Sequence, residues 1–413
     1  MIKKLGKTEI LFIRNLLLTT VLGGVIGFLN YLFNIGVARF TSDSIFSVYG
    51  ALLAIITLAQ IPATAIQSTL TKTVGENKDG NLNVLRVKSF VVFTILGIFI
   101  GIIFLISTPV VVNFADIPTS TMLPLALTLT LALISPIAKG FLLGEERIVT
   151  VNLIMLVETI LRFAIGILAI YLGGNLTLLI LASGVPAFIG CILVLPFIKF
   201  KQQGSKRIDI NYKDLLLMTV CFLLLSIPYT VDVILTPVAL RAEYFALALI
   251  GKIVYFSAIT IAFVMFARLS NQKDDRKEFK TLGITIVITL LIGFAATIFI
   301  TIFKQPIIEF AFGGNYQSVG SYFLVYGILM SVYAAIFMVA NFFITRNSYW
   351  YILILSVISL FQVFLFLNFN DSIVQIVKNQ VFVYASLTIF TGIYFILNFL
   401  IKPNEKERIK KIS

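Results

Sequence analysis

Seven ionisable residues interrupt the long apolar stretches that make up most of this sequence. Five are basic and two are acidic: Arg14, Lys139, Glu158, Arg162, Asp232, Lys252 and Lys378. If these stretches cross a bilayer, each charge is costly there and has to face a partner or a water-filled cavity. A surplus of cations suits an anionic substrate, whereas a carrier of cationic molecules needs carboxylates and aromatic rings.

Lys252 lies in the middle of an apolar stretch and has two candidate roles. It either contacts a phosphate of the substrate or forms an ion pair with Asp232 on the preceding stretch. Asp232 lies between Pro228 and Pro237, and because a proline removes a helical hydrogen bond, the chain can bend there and leave carbonyl groups free. A carboxylate beside free carbonyls is a candidate site for Na+ or a proton, and it equally serves to neutralise Lys252.

Glu158 and Arg162 are four residues apart with the acid first, the order that favours an ion pair within one helix. The main prediction is therefore a self-neutralising pair. The alternative is that Glu158 takes up a proton or Na+ while Arg162 stays free for substrate. Arg14, near the start of the first apolar stretch, either extends toward the membrane surface or makes the first contact with an entering diphosphate.

The remaining reactive groups indicate no further site. Lys139 and Lys378 lie near the ends of apolar stretches and are expected to anchor them at the membrane surface. The chain has no histidine, the commonest metal ligand and general base, and Cys191 and Cys221 fall inside apolar runs. The acidic pairs at 145–146 and 274–275 lie among basic residues and are expected to be solvated. We therefore expect no catalytic site, no metal site and no organic cofactor, with coupling to Na+ or H+ as the open question.

The elements that carry these charges follow from composition. Of the 413 residues, 59% are hydrophobic and only 12% are charged, with a mean hydropathy of +1.03. A soluble domain has about 25% charged residues, so the solvent of this chain must be largely lipid. Apolar stretches that match the roughly 20 residues of a membrane-crossing helix recur along the whole chain. Their twelve predicted bounds are 12–38, 45–69, 89–113, 122–143, 150–172, 176–198, 214–238, 245–267, 281–303, 321–344, 349–369 and 377–401.

Lysine and arginine are concentrated in a subset of the connecting segments. These segments are 3–14, 72–88, 199–213, 268–280 and 402–411. The positive-inside rule assigns them to the cytoplasm, so both termini are predicted to be cytoplasmic in a multi-pass protein of the cell membrane. Topology and contact with anionic lipid headgroups explain the net charge of +13, and no nucleic-acid partner is expected.

The most basic internal segment divides the chain into two nearly equal halves that share a weak repeat. A shift of about 198 residues places Asn34 on Asp232 and brings 108–111 close to 305–308. We predict an N-terminal six-helix bundle over 1–200, a basic cytoplasmic linker over 201–213, a C-terminal six-helix bundle over 214–401 and a basic cytoplasmic tail over 402–413. Because each half has an even number of spans, the bundles would be related by an axis along the membrane normal and would enclose a central cavity.

Local patterns in both halves carry a family resemblance. The first two predicted spans contain Phe28-Leu29-Asn30-Tyr31 and Ser47-Val48-Tyr49-Gly50. The seventh and eighth contain Tyr229-Thr230-Val231-Asp232, Arg241-Ala242-Glu243-Tyr244 and Gly251-Lys252-Ile253-Val254, and the ninth is followed by Pro306-Ile307-Ile308 and Phe312-Gly313-Gly314-Asn315-Tyr316. These patterns resemble the polysaccharide-biosynthesis proteins, or Wzx-like oligosaccharide flippases, of the multidrug/oligosaccharidyl-lipid/polysaccharide (MOP) exporter superfamily.

The resemblance implies an all-α integral membrane fold of about 12 transmembrane helices, in two six-helix bundles around a central cavity, as in MATE and other MOP proteins. It implies alternating access and the transfer of undecaprenyl-diphosphate-linked oligosaccharide units from the inner to the outer leaflet for surface polysaccharide synthesis. Expected partners are that lipid-linked oligosaccharide, membrane lipids and the polysaccharide polymerase or glycosyltransferase machinery. Lys252, Arg14 and Arg162 are then the candidate headgroup cations, and Asp232 and Glu158 the candidates for ion coupling or charge pairing.

Other transporter classes compete with this interpretation. A drug or metabolite cation antiporter of the MATE type is the main alternative, and the surplus of intramembrane cations argues against it. A major facilitator transporter would carry a glycine, an aspartate and clustered arginines between its second and third spans. The corresponding segment here, 71–78, has no arginine and no aspartate. Lipid II flippases commonly have two more C-terminal spans, so twelve spans favour the oligosaccharide branch.

Overall fold

The structure is a computed structural model that describes residues 7–77, 81–197, 208–269, 275–345 and 349–412. All regular structure in these ranges is helical, and they contain no strand. The α-helices are α1 (Lys7–Phe40), α2 (Asp43–Ala59), α3 (Ile61–Glu76), α4 (Leu82–Ile106), α5 (Thr108–Ala115), α6 (Met122–Gly144), α7 (Ile148–Tyr171), α8 (Leu176–Val194), α9 (Tyr212–Ser226), α10 (Val231–Leu235), α11 (Val238–Leu269), α12 (Asp275–Ile302), α13 (Lys304–Phe312), α14 (Phe323–Thr345), α15 (Tyr349–Asn368) and α16 (Ile373–Ile412).

Twelve segments of the described chain are long and apolar enough to cross a membrane. The predicted all-α fold with about twelve transmembrane helices is therefore confirmed, and the chain is a multi-pass membrane protein. One span, Asp43–Glu76, consists of α2 and α3 together. The helix restarts there because Pro62, in the first turn of α3, has no N–H group to continue the hydrogen bonds of α2.

The chain divides into two compact units, Met1–Phe222 and Leu223–Ser413. In the first unit, α6 packs against α3, α4 and α8, and α7 packs against α1 and α8. In the second unit, α14 packs against α11, α12 and α16, and α15 packs against α16. The limits of the bundles, linker and tail that the sequence suggested stay predictions.

Residues 208–210, directly before α9, are seated on the first unit. Ile208 and Ile210 are buried against apolar side chains of α3, α4 and α6. Between them, Asp209 forms an ion pair with Lys88 of α4, with 2.5 Å between Oδ1 and Nζ. The chain is thus attached to the first unit before α9 begins.

The seventh span ends in a broken helix. A 3-10 turn over Ile227–Tyr229 follows α9, and the five-residue α10 comes next. Pro228 has no N–H group to donate, and Thr236, before Pro237, has an extended backbone with ψ 130°. The helical hydrogen bonds of α9 therefore do not continue through the 3-10 turn and α10 into α11. The break leaves backbone carbonyl groups, including that of Pro228, open to side chains of other helices.

A pair of short helices occupies matching places in the two units. Each follows the third span of its unit after a one-residue interruption, at Ser107 before α5 and at Phe303 before α13. Each ends at a left-handed residue, Asp116 with φ 48° or Gly313 with φ 62°. These are the segments that the shift of the sequence aligned, so the structure repeats where the sequence does.

Candidate functional site

Asp232, in the second unit, is fully buried (0% exposed), and side chains and backbone donate to both of its carboxylate oxygens. The Val233 N–H group donates to Oδ1 at 2.9 Å. Three side chains donate to Oδ2: the Tyr244 hydroxyl at 2.7 Å, the Gln380 amide at 3.1 Å and the Tyr326 hydroxyl at 3.3 Å. The negative charge is therefore stabilised by four hydrogen bonds.

The same network holds the break after α9. The Pro228 carbonyl accepts hydrogen bonds from Gln362 of α15 at 3.1 Å and from Gln380 and Tyr384 of α16 at 2.7 and 3.1 Å. Gln380 thus bridges this carbonyl and Asp232. Two buried acceptors of the region, Gln362 Oε1 and Thr230 Oγ1, have no hydrogen-bond partner.

Lys252 does not form a direct ion pair with Asp232. Its ammonium is near enough to interact with the carboxylate electrostatically, but the ion pairs among described residues do not include it. Instead, Nζ lies 5.8 Å from the centre of the Tyr229 ring. That ring belongs to a cluster in which Tyr229 stacks on Tyr255 at 5.4 Å and Tyr255 lies 5.6 Å from Tyr333.

In the first unit, Glu158 and Arg162 do not pair, so the predicted intrahelical ion pair is wrong. Glu158 Oε2 is instead 2.6 Å from Nζ of Lys139 on α6. Gly190 of α8 makes room for this arrangement, because a Cβ atom at Gly190 would lie only 1.6 Å from Glu158 Oε1. The expectation that Lys139 anchors a span at the membrane surface is also wrong, since Lys139 is buried (8% exposed).

Arg162, released from Glu158, contacts side chains of the first span. Its Nη1 donates to Asn30 Oδ1 at 2.9 Å, and its guanidinium lies 4.9 Å from the centre of the Phe33 ring. It also interacts with the Tyr49 hydroxyl, which donates to Asn34 Oδ1 at 2.6 Å. Among the described residues, Arg162 forms no ion pair. Its positive charge is therefore held by neutral groups.

The other predicted positions contribute less. Lys378 is exposed at the start of α16. Arg14 lies in α1, and its side chain falls outside the described residues. Cys191 and Cys221 are buried and free. The described residues include no group of three or more His, Cys, Asp or Glu side chains that could hold a metal ion.

Several residues that contact Asp232 or Arg162 were not predicted from the sequence as site residues. Tyr49 and Tyr244 occupy similar places in the two halves, so the repeat offered a signal for them. Gln362 and Gln380 also carried a signal, because an amide within an apolar span needs a partner. Asn30 and Phe33 carried none, since their role depends on which face of α1 meets α7.

Comparisons with known proteins identify the fold. No family model matches the chain, and no curated protein matches it. A lipid II flippase MurJ, in an inward closed conformation, has a TM-score of 0.70 and 13% identity, covering 91% of this chain and 86% of that one. The chain has the fold of the MOP-superfamily transporters. An inward-facing multidrug resistance MATE family transporter of that superfamily has a TM-score of 0.68 and 12% identity over 88% of this chain and 94% of its own.

A third solved structure is also similar. It is a MOP superfamily transporter from Pyrococcus furiosus, with a TM-score of 0.55 and 12% identity over 93% of this chain and 94% of that one. It is described as having a binding pocket of reverse polarity that suggests a different function. All three proteins are transporters or flippases rather than enzymes.

Proposed function

We propose that this chain is a flippase that moves undecaprenyl-diphosphate-linked oligosaccharide units from the inner to the outer leaflet of the cell membrane, for surface polysaccharide synthesis. One observation carries the proposal. Two of the described intramembrane cations, Arg162 and Lys252, lie outside direct ion pairs, whereas the carboxylates Glu158 and Asp232 are already engaged. Each unit therefore keeps a cation that an anion could bind.

Arg162 is the better candidate of the two cations for binding the diphosphate. A positive charge enclosed by apolar helices is costly unless a partner compensates it, and its present contacts are an amide oxygen, a phenol and an aromatic ring. A diphosphate would supply the missing charge. Its oxygens also match the planar fork of donors that a guanidinium presents. Asn30 and Phe33 hold the guanidinium ready for such a ligand.

Lys252 is the second cation for the headgroup. An ammonium over an aromatic face is attracted by the ring without being neutralised, so the contact with Tyr229 orients Lys252 without supplying a counter-charge. Arg14, near the start of α1, completes the proposed set of headgroup cations as the first contact for the entering diphosphate.

The alternative, a MATE-type antiporter for cationic drugs or metabolites, draws on the same fold, because the TM-scores of 0.70 and 0.68 do not separate the two classes. Such an antiporter needs a carboxylate that is open to a cationic ligand. Here Glu158 forms an ion pair with Lys139, and Asp232 accepts four hydrogen bonds. The chemistry of the side chains thus favours the anionic substrate.

In the proposed cycle, alternating access exposes the cationic site first to the cytoplasm and then to the outside, while the lipid tail stays in the bilayer. The substrate can drive this change only by binding the two states differently. Na+ or H+ at Asp232 or Glu158 is the proposed source of further bias. We also propose that both termini are cytoplasmic and that the polymerase or glycosyltransferase machinery is the partner.

The test is deletion of the gene followed by analysis of lipid-linked intermediates. A flippase defect makes undecaprenyl-diphosphate-linked glycan accumulate on the inner face of the membrane, and the wild-type chain restores its export. If that glycan does not accumulate and the cells instead retain a cationic dye more strongly, the antiporter is the correct function.

A further inference from the structure

Glu158 has two basic residues within reach and uses only one of them. Lys139 faces it from α6, and Arg162 lies one helical turn further along α7. The carboxylate pairs with Lys139 through Oε2, whereas Oε1 is buried without a hydrogen-bond partner in the described structure. Arg162 Nε is likewise buried without a partner. An acceptor and a donor, one turn apart, are thus both unsatisfied and do not meet.

The local packing explains why they stay apart. Glu158 is drawn toward α6 by the Lys139 ammonium at 2.6 Å, and its free oxygen lies over Gly190 of α8, where a side chain would collide with it. Arg162 turns toward α1, where Asn30 accepts its hydrogen bond. Each side chain is therefore held by a different neighbouring helix.

The alternative pairing would cancel the charge on which the proposed function depends. A glutamate four residues before an arginine is well placed to bind it, and a guanidinium that binds a carboxylate has fewer donors for a diphosphate. The availability of Arg162 therefore depends on the partner that Glu158 chooses.

We infer that Lys139 is a positioning residue for the anion site: by binding Glu158, it keeps Arg162 free to bind the diphosphate of the substrate. The inference rests on the proposed function, because it assigns Arg162 to the headgroup. Lys139 need not touch the substrate. Its effect passes entirely through the Glu158 carboxylate.

Binding of farnesyl diphosphate to the purified full-length chain in detergent tests the inference, with farnesol as the control for the lipid part. Lys139→Met removes the competitor for Glu158, so we expect affinity to fall about tenfold, the loss expected for Arg162→Met. The double variant Lys139→Met/Glu158→Gln has no carboxylate left to neutralise Arg162 and should recover affinity to within about threefold of wild type. Lys139→Arg, which keeps a cation at this position, should bind as wild type does.

A double variant that binds as weakly as Lys139→Met would overturn the inference, because the loss would then not pass through Glu158. Wild-type affinity in Lys139→Met would overturn it as well. If Arg162→Met binds as tightly as wild type, it is the proposed headgroup role of Arg162 that fails.

Thermal melts decide the choice of partner without any ligand. In the Lys139→Met background, Arg162 becomes the counter-ion of Glu158, so Arg162→Met should lower the melting temperature more there than in the wild-type background. An equal shift in both backgrounds shows that Glu158 does not change partner and rejects the inference.

Discussion

The two units build a similar contact around opposite charges. In the first, the Tyr49 hydroxyl donates to Asn34 at 2.6 Å, and in the second the Tyr244 hydroxyl donates to Asp232 at 2.7 Å. The first contact adjoins the cation Arg162, whereas the second is centred on a carboxylate. The repeat therefore preserved the geometry of a tyrosine and its acceptor, while the charge diverged. One unit carries an arginine beside this contact, and the other a carboxylate that fixes a broken helix.

The largest effect is expected from removing the acceptor in each unit. Asp232→Ala leaves the donors of Tyr244, Tyr326 and Gln380 unpaired in a buried site, so unfolding free energy should fall by about 3 kcal/mol or more. Asn34→Ala, the matched control, removes the acceptor of one tyrosine and should cost about 1 kcal/mol. Melting curves of the purified variants measure both, and equal losses would contradict the asymmetry.

If the proposed function is correct, replacing Arg162 should strongly reduce transport with little effect on folding. Arg162→Gln takes away the charge that we propose attracts the diphosphate, so export of lipid-linked glycan in complemented deletion cells should fall at least about tenfold. Lys378→Gln removes an exposed cation and serves as the control, with export unchanged. Equal export by the two variants, at equal abundance in the membrane, would remove Arg162 from the headgroup site.

Gly190→Ala tests the space that keeps Glu158 beside Lys139. The new methyl group would lie where Glu158 Oε1 now is, and such overpacking typically costs about 1–3 kcal/mol. Gly392→Ala is the control, because no atom lies within 4 Å of its Cβ position, and alanine favours a helix by up to about 1 kcal/mol. A melting temperature that rises in both variants would show that the carboxylate has room to move.

The smallest effect is expected at the ring beneath Lys252. Tyr229→Leu removes a cation–π contact of about 0.5–2 kcal/mol, so glycan export should fall about threefold. Tyr229→Phe keeps the ring and should export as wild type does. If both variants lose export equally, the hydroxyl of Tyr229 rather than its ring orients Lys252.

Most of the fold could be predicted because it depends on local composition. Apolar stretches of sufficient length produced a span in the structure, and Pro228 marks the place where the seventh span is interrupted. The short helices α5 and α13 fall where the repeat aligned the sequence. These properties need only the order of residues along one helix and its ends.

The choice of partners could not be predicted, because it depends on which helices meet. Spacing alone paired Glu158 with Arg162, but α6 brought Lys139 closer and Gly190 of α8 made room for the carboxylate. The partners of Asp232 could not be predicted either, because two of its donors, Tyr326 and Gln380, lie about a hundred or more residues away along the chain. Only packing shows that a charge in a membrane span has already been satisfied.

Because residues 208–210 pack on the first unit, the chain could be divided into two fragments just before them. The described residues on either side of 198–207 both belong to the first unit, and Asp209 pairs there with Lys88 of α4. The residues after the gap therefore contact the first unit through side chains of their own. A gene split within 198–207 should yield two fragments that find each other during co-expression, because the second fragment begins with the residues that recognise the first.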